Sequence, residues 1–150
     1  MIIIAEKING SIPSVGKAIA AKDEAFIRDL AIKQSEAGAT FIDVCSSVAP
    51  EVEFDTMRWM LDIVQAATDT PISVDSPNEE VLVQLLPYVK KPGLVNSVSG
   101  EGKKIETVFP AIAKTEWEVM ALLSDDKGIP KSAADRLRVF DNIMKKAEFY

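Results

Sequence analysis

The chain has 150 residues, of which 47% are hydrophobic and 27% charged, a balance typical of a folded globular domain and not of a disordered segment. Its formal net charge is -6, and its 17 lysines and arginines are scattered among acidic residues, so we expect no nucleic-acid surface. Because the chain contains no histidine, it cannot supply a Ser-His-Asp triad, a Cys-His pair or a histidine-ligated metal, and no metal site is expected.

The single cysteine and the length of the apolar runs bear on the compartment. Cys45 cannot form an internal disulfide, and without a histidine to activate it we interpret it as a packed side chain. No apolar run reaches the roughly 20 residues that span a bilayer, and the apolar start at residues 1–5 is too short for a signal sequence. These observations favour a cytoplasmic protein without a membrane segment.

Five short apolar runs predict strands, and helical patterns lie between them. The predicted strands cover residues 2–5, 40–45, 71–75, 93–96 and 117–123. The predicted helices begin at Asp23, Phe54, Asn78, Lys103 and Ser132, and the first four end near Gly38, Ala67, Leu86 and Ala113. Asp23 and Asn78 are expected as N-caps, and Gly38 as a C-terminal stop.

The alternation of strand and helix is typical of parallel βαβ units in the α/β class. A doubly wound open sheet and a (β/α)8 barrel both fit this pattern. Eight units at this density would need about 250 residues, so as a barrel the chain contains the N-terminal five units and lacks roughly three. No linker divides the sequence, so we expect residues 1–150 to form a single domain.

Ligands of such folds bind beyond the carboxyl ends of the parallel strands, where this sequence places short polar side chains. The candidates are Glu6, Lys7 and Asn9 after the first strand, Asp43, Cys45, Ser46 and Ser47 at the second, Asp75, Ser76 and Asn78 at the third, Asn96, Ser97 and Ser99 at the fourth, and residues 124–127 at the fifth. Ser46, Asn78 and Ser132 are interpreted as helix caps.

Asp43 and Asp75 lie directly at the ends of apolar strands, where a buried carboxylate is costly without partners. They are therefore interpreted as binding residues, with a structural hydrogen bond as the alternative. Asn96 ends the neighbouring strand, and its amide offers donors and an acceptor. A carboxylate and an amide on adjacent strands can pair with an aminopyrimidinone, which is the hydrogen-bonding edge of a pterin ring.

Successive segments along the whole chain resemble the pterin-binding methyltransferases. They are Ile4-Ala5-Glu6-Lys7-Ile8-Asn9-Gly10, Ala37-Gly38-Ala39 with Ile42-Asp43-Val44, Ser73-Val74-Asp75-Ser76-Pro77-Asn78, Val95-Asn96-Ser97 and Lys127-Gly128-Ile129-Pro130. The resemblance implies a (β/α)8 barrel of one-carbon metabolism that moves a methyl group between methyltetrahydrofolate and the cobalt of a corrinoid, or cobalamin. It also implies that a partner protein carries the corrinoid, and that the full-length enzyme is a homodimer.

The resemblance assigns roles to particular residues. It implies that Asp75 and Asn96 hydrogen-bond the pterin ring, and that the pocket is lined or supported by Glu6, Asn9, Asp43 and Ser97. The segment from Lys127 to Pro130 favours the methyltransferases over the related dihydropteroate synthases. The family's later strands supply a further pterin-binding aspartate and an asparagine near N5, so catalytic residues are expected beyond Tyr150.

The sequence departs from the family pattern at three positions. Ala5 and Lys7 stand where glycine and arginine are usual, and Cys45 where asparagine is common, so a pocket contact or the substrate preference differs. We expect the chain to be a fragment, a truncated form or one piece completed by another chain. A dihydropteroate synthase-like enzyme and a catalytically incomplete pterin-binding or assembly module remain alternatives, and the direction of methyl transfer is open.

Overall fold

The computed structural model describes residues 1–150 as five strands that alternate with helices. The elements in chain order are β1 Ile4–Asn9, α1 Pro13–Ala20, α2 Glu24–Glu36, β2 Phe41–Cys45, α3 Pro50–Ala67, β3 Ile72–Asp75, α4 Glu79–Leu85, a 3-10 turn Leu86–Tyr88, β4 Leu94–Gly100, α5 Lys104–Ile112, β5 Glu118–Asp125 and α6 Ala133–Ala147. The predicted α/β class is confirmed.

The order of the strands distinguishes between the two architectures that the sequence allowed. The strands form one parallel sheet in the order β1-β2-β3-β4-β5. Right-handed crossovers in sequential order place every helix on the same face, whereas a doubly wound sheet reverses direction and covers both faces. The chain is therefore wound in one direction, as five units of a (β/α) barrel are.

The two faces of the sheet differ in chemistry because side chains alternate along each strand. A core of 27 buried apolar residues contains members of all six helices and one set of strand residues, including Ile42, Val44, Ile72, Val74 and Val95. The alternate positions, among them Asp43, Ser73, Asp75 and Asn96, face away from the helices. The helix-covered face thus holds the core, and the opposite face is free for a site.

The predicted helix boundaries depend on local hydrogen bonds that the structure contains. The Asp23 carboxylate accepts from the Phe26 amide at 3.1 Å, and the Ser132 hydroxyl accepts from the Asp135 amide at 3.1 Å. Asn78 caps α4 by accepting from two amides at 3.0 and 3.3 Å. Gly38 follows α2 with φ +86°, a conformation that favours glycine. These four expectations are confirmed.

Three strands extend past their predicted carboxyl ends, β1, β4 and β5, and β5 runs to Asp125. β1 runs to Asn9, so Glu6 and Lys7 lie within the strand and do not follow it. The shift falls between Ala5 and Ile8, where the Lys7 amide donates to the side chain of the buried Gln34 at 2.8 Å. β4 continues past Asn96 to Gly100, with register shifts between Asn96 and Val98 and between Ser99 and Gly100, so Ser97 is also a strand residue.

Two helices also differ from the prediction. α1 was not predicted, although Val15, Ala18 and Ile19 have helical spacing and are buried. Gly16 weakens the helical pattern but is required, because a Cβ there would lie 2.7 Å from the carbonyl oxygen of Gly10. α3 begins at Pro50 and not at Phe54, since proline is well suited to the first position of a helix.

The edge strands β1 and β5 each have a hydrogen-bonded neighbour on one side only. Exposed apolar side chains lie near both edges: Ile2 and Ile3 before β1, and Leu122, Leu137, Phe140 and Met144 on β5 and α6. No helix has both the length and the apolar character needed to cross a bilayer.

The core predicts the effect of a truncation in α3. Leu61 is fully buried, so Leu61→Ala should lower the free energy of unfolding by about 2–5 kcal/mol through lost burial and a residual cavity. Val52→Ala is the matched control, because Val52 is 50% exposed on the same helix and its truncation should cost less than about 0.5 kcal/mol. Urea denaturation followed by circular dichroism measures both, and equal effects would contradict the assigned inner face of α3.

Candidate functional site

A polar cluster lies at the carboxyl ends of β2, β3 and β4, on the face opposite the helices. Asp43 is in register with Ser73, and Asp75 is in register with Asn96. Residues in register on parallel strands are lateral neighbours with side chains on the same face. The structure therefore brings together the two aspartates and the asparagine that the sequence singled out.

Asp43 is 2% exposed, and its carboxylate accepts hydrogen bonds from other side chains of the protein. Its Oδ1 accepts hydrogen bonds from the Ser73 hydroxyl at 2.6 Å and from the Asn96 amide nitrogen at 3.1 Å. Burial raises the pKa of Asp43 to about 6 against the lowering effect of these two donors, and the charges of Asp75 and Glu6 add to the rise. The structural hydrogen bond considered as an alternative for Asp43 is present.

Asp75 differs from Asp43 because it is half-buried and has no N–H or hydroxyl donor in the chain. Burial raises its pKa, the neighbouring Cys45 thiol opposes the rise by hydrogen bonding, and the charges of Glu6 and Glu53 add to it. A carboxylate held in this way gains from a ligand that supplies N–H donors. Beside it, the carbonyl oxygen of the half-buried Asn96 has no partner in the chain, since its nitrogen is the atom that binds Asp43.

The remaining predicted site residues surround this pair in different ways. Asn9 is half-buried, and its Oδ1 accepts from the Ser11 amide at 2.9 Å, the Ser11 hydroxyl at 2.6 Å and the Ser47 hydroxyl at 3.1 Å, so it supports the loops after β1 and β2. Glu6 is exposed, and its charge acts on Asp43 and Asp75. Ser97 is half-buried beside Asn96.

Cys45 is buried at the end of β2, within 3.3 Å of the Ser47 hydroxyl. Burial raises the pKa of its thiol to about 11, so the thiol is protonated at neutral pH. A protonated, buried thiol is a poor nucleophile, in agreement with the interpretation of Cys45 as a packed side chain.

Glu53 is the site neighbour that the sequence did not reveal. It lies in the first turn of α3, is 6% exposed, and accepts a 2.6 Å hydrogen bond from the Ser76 hydroxyl. Ser76 in turn accepts from the Asn78 amide at 3.0 Å. The two acidic residues after Pro50, Glu51 and Glu53, were a usable signal for the start of a helix, because carboxylates favour helix N-termini.

One expectation for this region is wrong. Ser46 does not cap α3: the N-cap is Ala49, and the Ser46 hydroxyl is buried without a hydrogen-bond partner. The chain turns away after β2 and starts the helix at Pro50, which leaves Ser46 in the interior. Among the acidic and cysteine side chains, no group of three or more is arranged to hold a metal ion.

A one-directional parallel sheet with a carboxylate and an amide side by side at its carboxyl edge defines a ligand-binding portion of a (β/α) barrel. Residues 10–148 match the family described as pterin binding enzyme, and the chain belongs to that family. It is 51% identical over 150 residues to the methylcorrinoid:tetrahydrofolate methyltransferase of Eubacterium limosum. The match includes 99% of this chain and 55% of the relative, so the chain spans about half the relative's length.

Asp43 should make the stability of the protein depend on pH. Its pKa of about 6 lies above the ordinary value of 3.8, so the folded state holds this proton more tightly than the unfolded state. The contribution of Asp43 to the free energy of unfolding therefore falls as the pH rises from 4 to 7, by roughly 2–3 kcal/mol. Denaturation of the wild type and of Asp43→Asn across this range measures it, because the variant lacks the titrating group.

The expected result is a stability difference that shifts in favour of Asp43→Asn as the pH rises. Asp69→Asn is the control, since the Asp69 side chain is 99% exposed and outside the cluster. A difference between wild type and Asp43→Asn that is the same at pH 4 and pH 7 would show that Asp43 is not held in this way.

Proposed function

We propose that this chain binds the pterin ring of tetrahydrofolate and orients it for transfer of a methyl group between the folate and a corrinoid protein. The observation that carries the proposal is the pairing of Asp75 and Asn96 on adjacent strands. No N–H or hydroxyl group of the chain donates to the Asp75 carboxylate, and the amide oxygen of Asn96 beside it also has no partner. Membership of the pterin binding enzyme family and the activity in the name of the relative support it.

The chemistry of the ring fits these groups. The pyrimidinone edge of a pterin carries a ring N–H and an exocyclic amino group next to each other, and a carboxylate accepts from two such donors at once. Asp75 takes this role, and Asn96 accepts from or donates to the adjoining atoms of the ring. Glu6, Asn9, Asp43 and Ser97 line or support the pocket around this pair.

The contribution of this chain to methyl transfer is binding and orientation. The corrinoid supplies the cobalt that gives or receives the methyl group. This chain has no histidine and so offers cobalt no imidazole, which fits a corrinoid carried by a partner protein. We assign the groups that act at N5 to the part of the relative's length that this chain does not span.

We propose that the methyl group moves from the corrinoid to tetrahydrofolate, the direction in the name of the relative. The same site binds tetrahydrofolate before transfer and its methylated form afterwards, so the ring contacts alone do not set the direction. Loss of the methylcorrinoid absorbance on mixing a methylated corrinoid protein with tetrahydrofolate and a protein that contains this chain together with the later strands of the family measures the forward reaction.

We further propose that residues 1–150 act as one pterin-binding domain of a cytoplasmic protein that forms homodimers. The free Cys45 thiol supports a reducing compartment. Light scattering tests the association, and a strictly monomeric particle of 16.4 kDa would contradict it.

A pterin-binding or assembly module without methyl transfer is the second candidate function, because Asp75 and Asn96 offer groups that bind a ring and the polar cluster includes no group assigned to the transferred methyl. Calorimetric titration with tetrahydrofolate, together with the methylcorrinoid absorbance, separates the two candidates. Binding with loss of that absorbance supports the proposed function, binding without it supports a pterin-binding module, and no measurable heat at millimolar ligand would leave the assembly module ahead.

If tetrahydrofolate binds as proposed, Asp75→Asn and Asn96→Ala should each weaken binding by about 1–3 kcal/mol. Asp75→Asn replaces one acceptor oxygen by an amino group that opposes the donors of the ring, and Asn96→Ala removes an amide that the ring contacts. Calorimetric titration measures the affinities, with circular dichroism to verify that the variants fold.

The matched controls are Asp69→Asn, at the amino end of β3, and Asn142→Ala, on α6, which make the same kinds of change at exposed positions outside the polar cluster. They should bind tetrahydrofolate as the wild type does. Unchanged affinity in both Asp75→Asn and Asn96→Ala would refute the assignment of this site.

A further inference from the structure

We propose that Asp43 is a positioning residue for recognition of the pterin. Asp43 holds the Asn96 amide in one orientation, with the carbonyl oxygen directed at the ligand, without contacting the ligand itself. This inference rests on the proposed function, because it assigns a role to a group behind the same pocket. It also specifies the ligand edge that the pocket accepts, which is one with an N–H donor opposite Asn96.

A line of side-chain contacts crosses the three strands β2, β3 and β4. Asp43 on β2 is in register with Ser73 on β3, and Asn96 lies two residues beyond the β4 partner of Ser73. Ser73 is fully buried and Asp43 almost so. The Ser73 hydroxyl and the Asn96 Nδ2 donate to the same carboxylate oxygen, at 2.6 and 3.1 Å.

An ionised Asp43 permits only one orientation of the Asn96 side chain. A carboxylate only accepts hydrogen bonds, so the amide group must place its nitrogen toward Asp43. A flipped amide would bring two acceptor oxygens into contact in a buried position, which loses a charge-assisted hydrogen bond and adds repulsion. The planar amide then directs its oxygen away from Asp43.

The orientation of Asn96 determines which hydrogen-bonding groups the pocket presents to the ligand. With Asn96 in this orientation, its oxygen and the Asp75 carboxylate present neighbouring acceptors at the edges of β4 and β3. A ligand with adjacent N–H donors satisfies both of them, and a ligand with acceptors at these positions is disfavoured. A flipped Asn96 would offer its amino group instead and reverse part of this preference.

Protonation of Asp43 removes the constraint, because a carboxylic acid can donate to the Asn96 oxygen as well as accept from its nitrogen. The charged groups that act on Asp43 are Glu6 from β1 and Asp75 from β3, while its contacts on β3 and β4, Ser73 and Asn96, are neutral. The burial that raises the pKa of Asp43 to about 6 places this change near neutrality. Orientation of Asn96 should therefore weaken as the pH falls through about 6.

A double-mutant cycle on tetrahydrofolate affinity tests the inference. Asp43→Asn should weaken binding at pH 7.5 by about tenfold, since an amide at position 43 allows Asn96 to flip. In the Asn96→Ala background, Asp43→Asn should have no further effect, because nothing is left to orient. Additive losses of affinity would overturn the inference, since they would mean that Asp43 acts independently of Asn96.

Ser73→Ala is the matched control within the same network. It removes the other donor to the Asp43 oxygen and leaves the Asn96 contact in place. Because loss of the Ser73 donor raises the pKa of Asp43 further, this control is measured at pH 8.5, where its affinity for tetrahydrofolate should remain within about twofold of the wild type as long as the ionised Asp43 orients Asn96. A loss as large as that of Asp43→Asn would attribute the effect to general damage of the network and overturn the positioning role.

Nuclear magnetic resonance of asparagine side chains provides a readout that needs no ligand. In protein labelled with 15N-asparagine, the Asn96 amide signals are those absent from Asn96→Ala. They should titrate near pH 6 in the wild type and lose that titration in Asp43→Asn, while the Asn78 signals serve as an internal reference. Identical Asn96 signals at pH 5 and pH 7.5 in the wild type would overturn the inference without any variant at position 43.

The outcomes separate this inference from the proposed function. If the wild type does not bind tetrahydrofolate, the proposed function fails, and the role of Asp43 in pterin recognition fails with it. If the wild type binds and Asp43→Asn binds equally well, only the inference about Asp43 fails.

Discussion

The register of β2, β3 and β4 is the constraint on which the site depends. Because side chains alternate along a strand, a slip of one residue would turn Asp43, Asp75 and Asn96 toward the helices and their apolar neighbours toward the open face. The packing of Ile42, Val44, Ile72 and Val74 against the helices prevents such a slip, since it would expose part of the core. The same apolar contacts that stabilise the fold therefore hold the polar groups in line.

Three carboxylates near this edge show how partners determine the role of a buried charge. Asp43 accepts from Ser73 and Asn96, and Glu53 accepts from Ser76, so both have strong donors within the chain. Asp75 accepts no hydrogen bond from an N–H or hydroxyl group of the chain. The group with the fewest internal donors is the one most suited to an external ligand, which distinguishes Asp75 from carboxylates that shape the pocket from behind.

The sequence predicted the parts of this structure that depend on local chemistry. The caps at Asp23, Asn78 and Ser132 and the stop at Gly38 follow from short-range hydrogen bonding and backbone preference, and all are present. The proximity of Asp75 and Asn96 followed from their places at the ends of adjacent parallel strands. The shift in β1 has no local signal in the sequence, and the contact found there joins the Lys7 amide to the side chain of Gln34, 27 positions away.

The contacts of Glu53 and Asp43 could not be predicted from the sequence either, because they join residues that are far apart in the chain. The Glu53–Ser76 bond joins residues 23 positions apart, and the Asp43–Asn96 bond joins residues 53 apart, so no local pattern specifies either. Only the packing of α3 on the sheet and the register across three strands bring these atoms together. A polar residue at a strand end thus indicates where a site lies, while the direction of each hydrogen bond is a tertiary property.

Folding and ligand binding act on the same proton of Asp43 in opposite directions. The folded chain without ligand favours the protonated acid, because burial penalises the charge. Under the positioning role, the ligand favours the ionised form, since only the carboxylate holds the Asn96 oxygen toward it. Above pH 6 the ligand therefore binds the form in which Asp43 is charged, and this charge lowers the free energy of unfolding of the free protein. Bound ligand raises the free energy of unfolding again, because it binds the folded state and not the unfolded state. The buried, ionised carboxylate of Asp43 thus destabilises the free protein and also orients the Asn96 amide that selects the ligand.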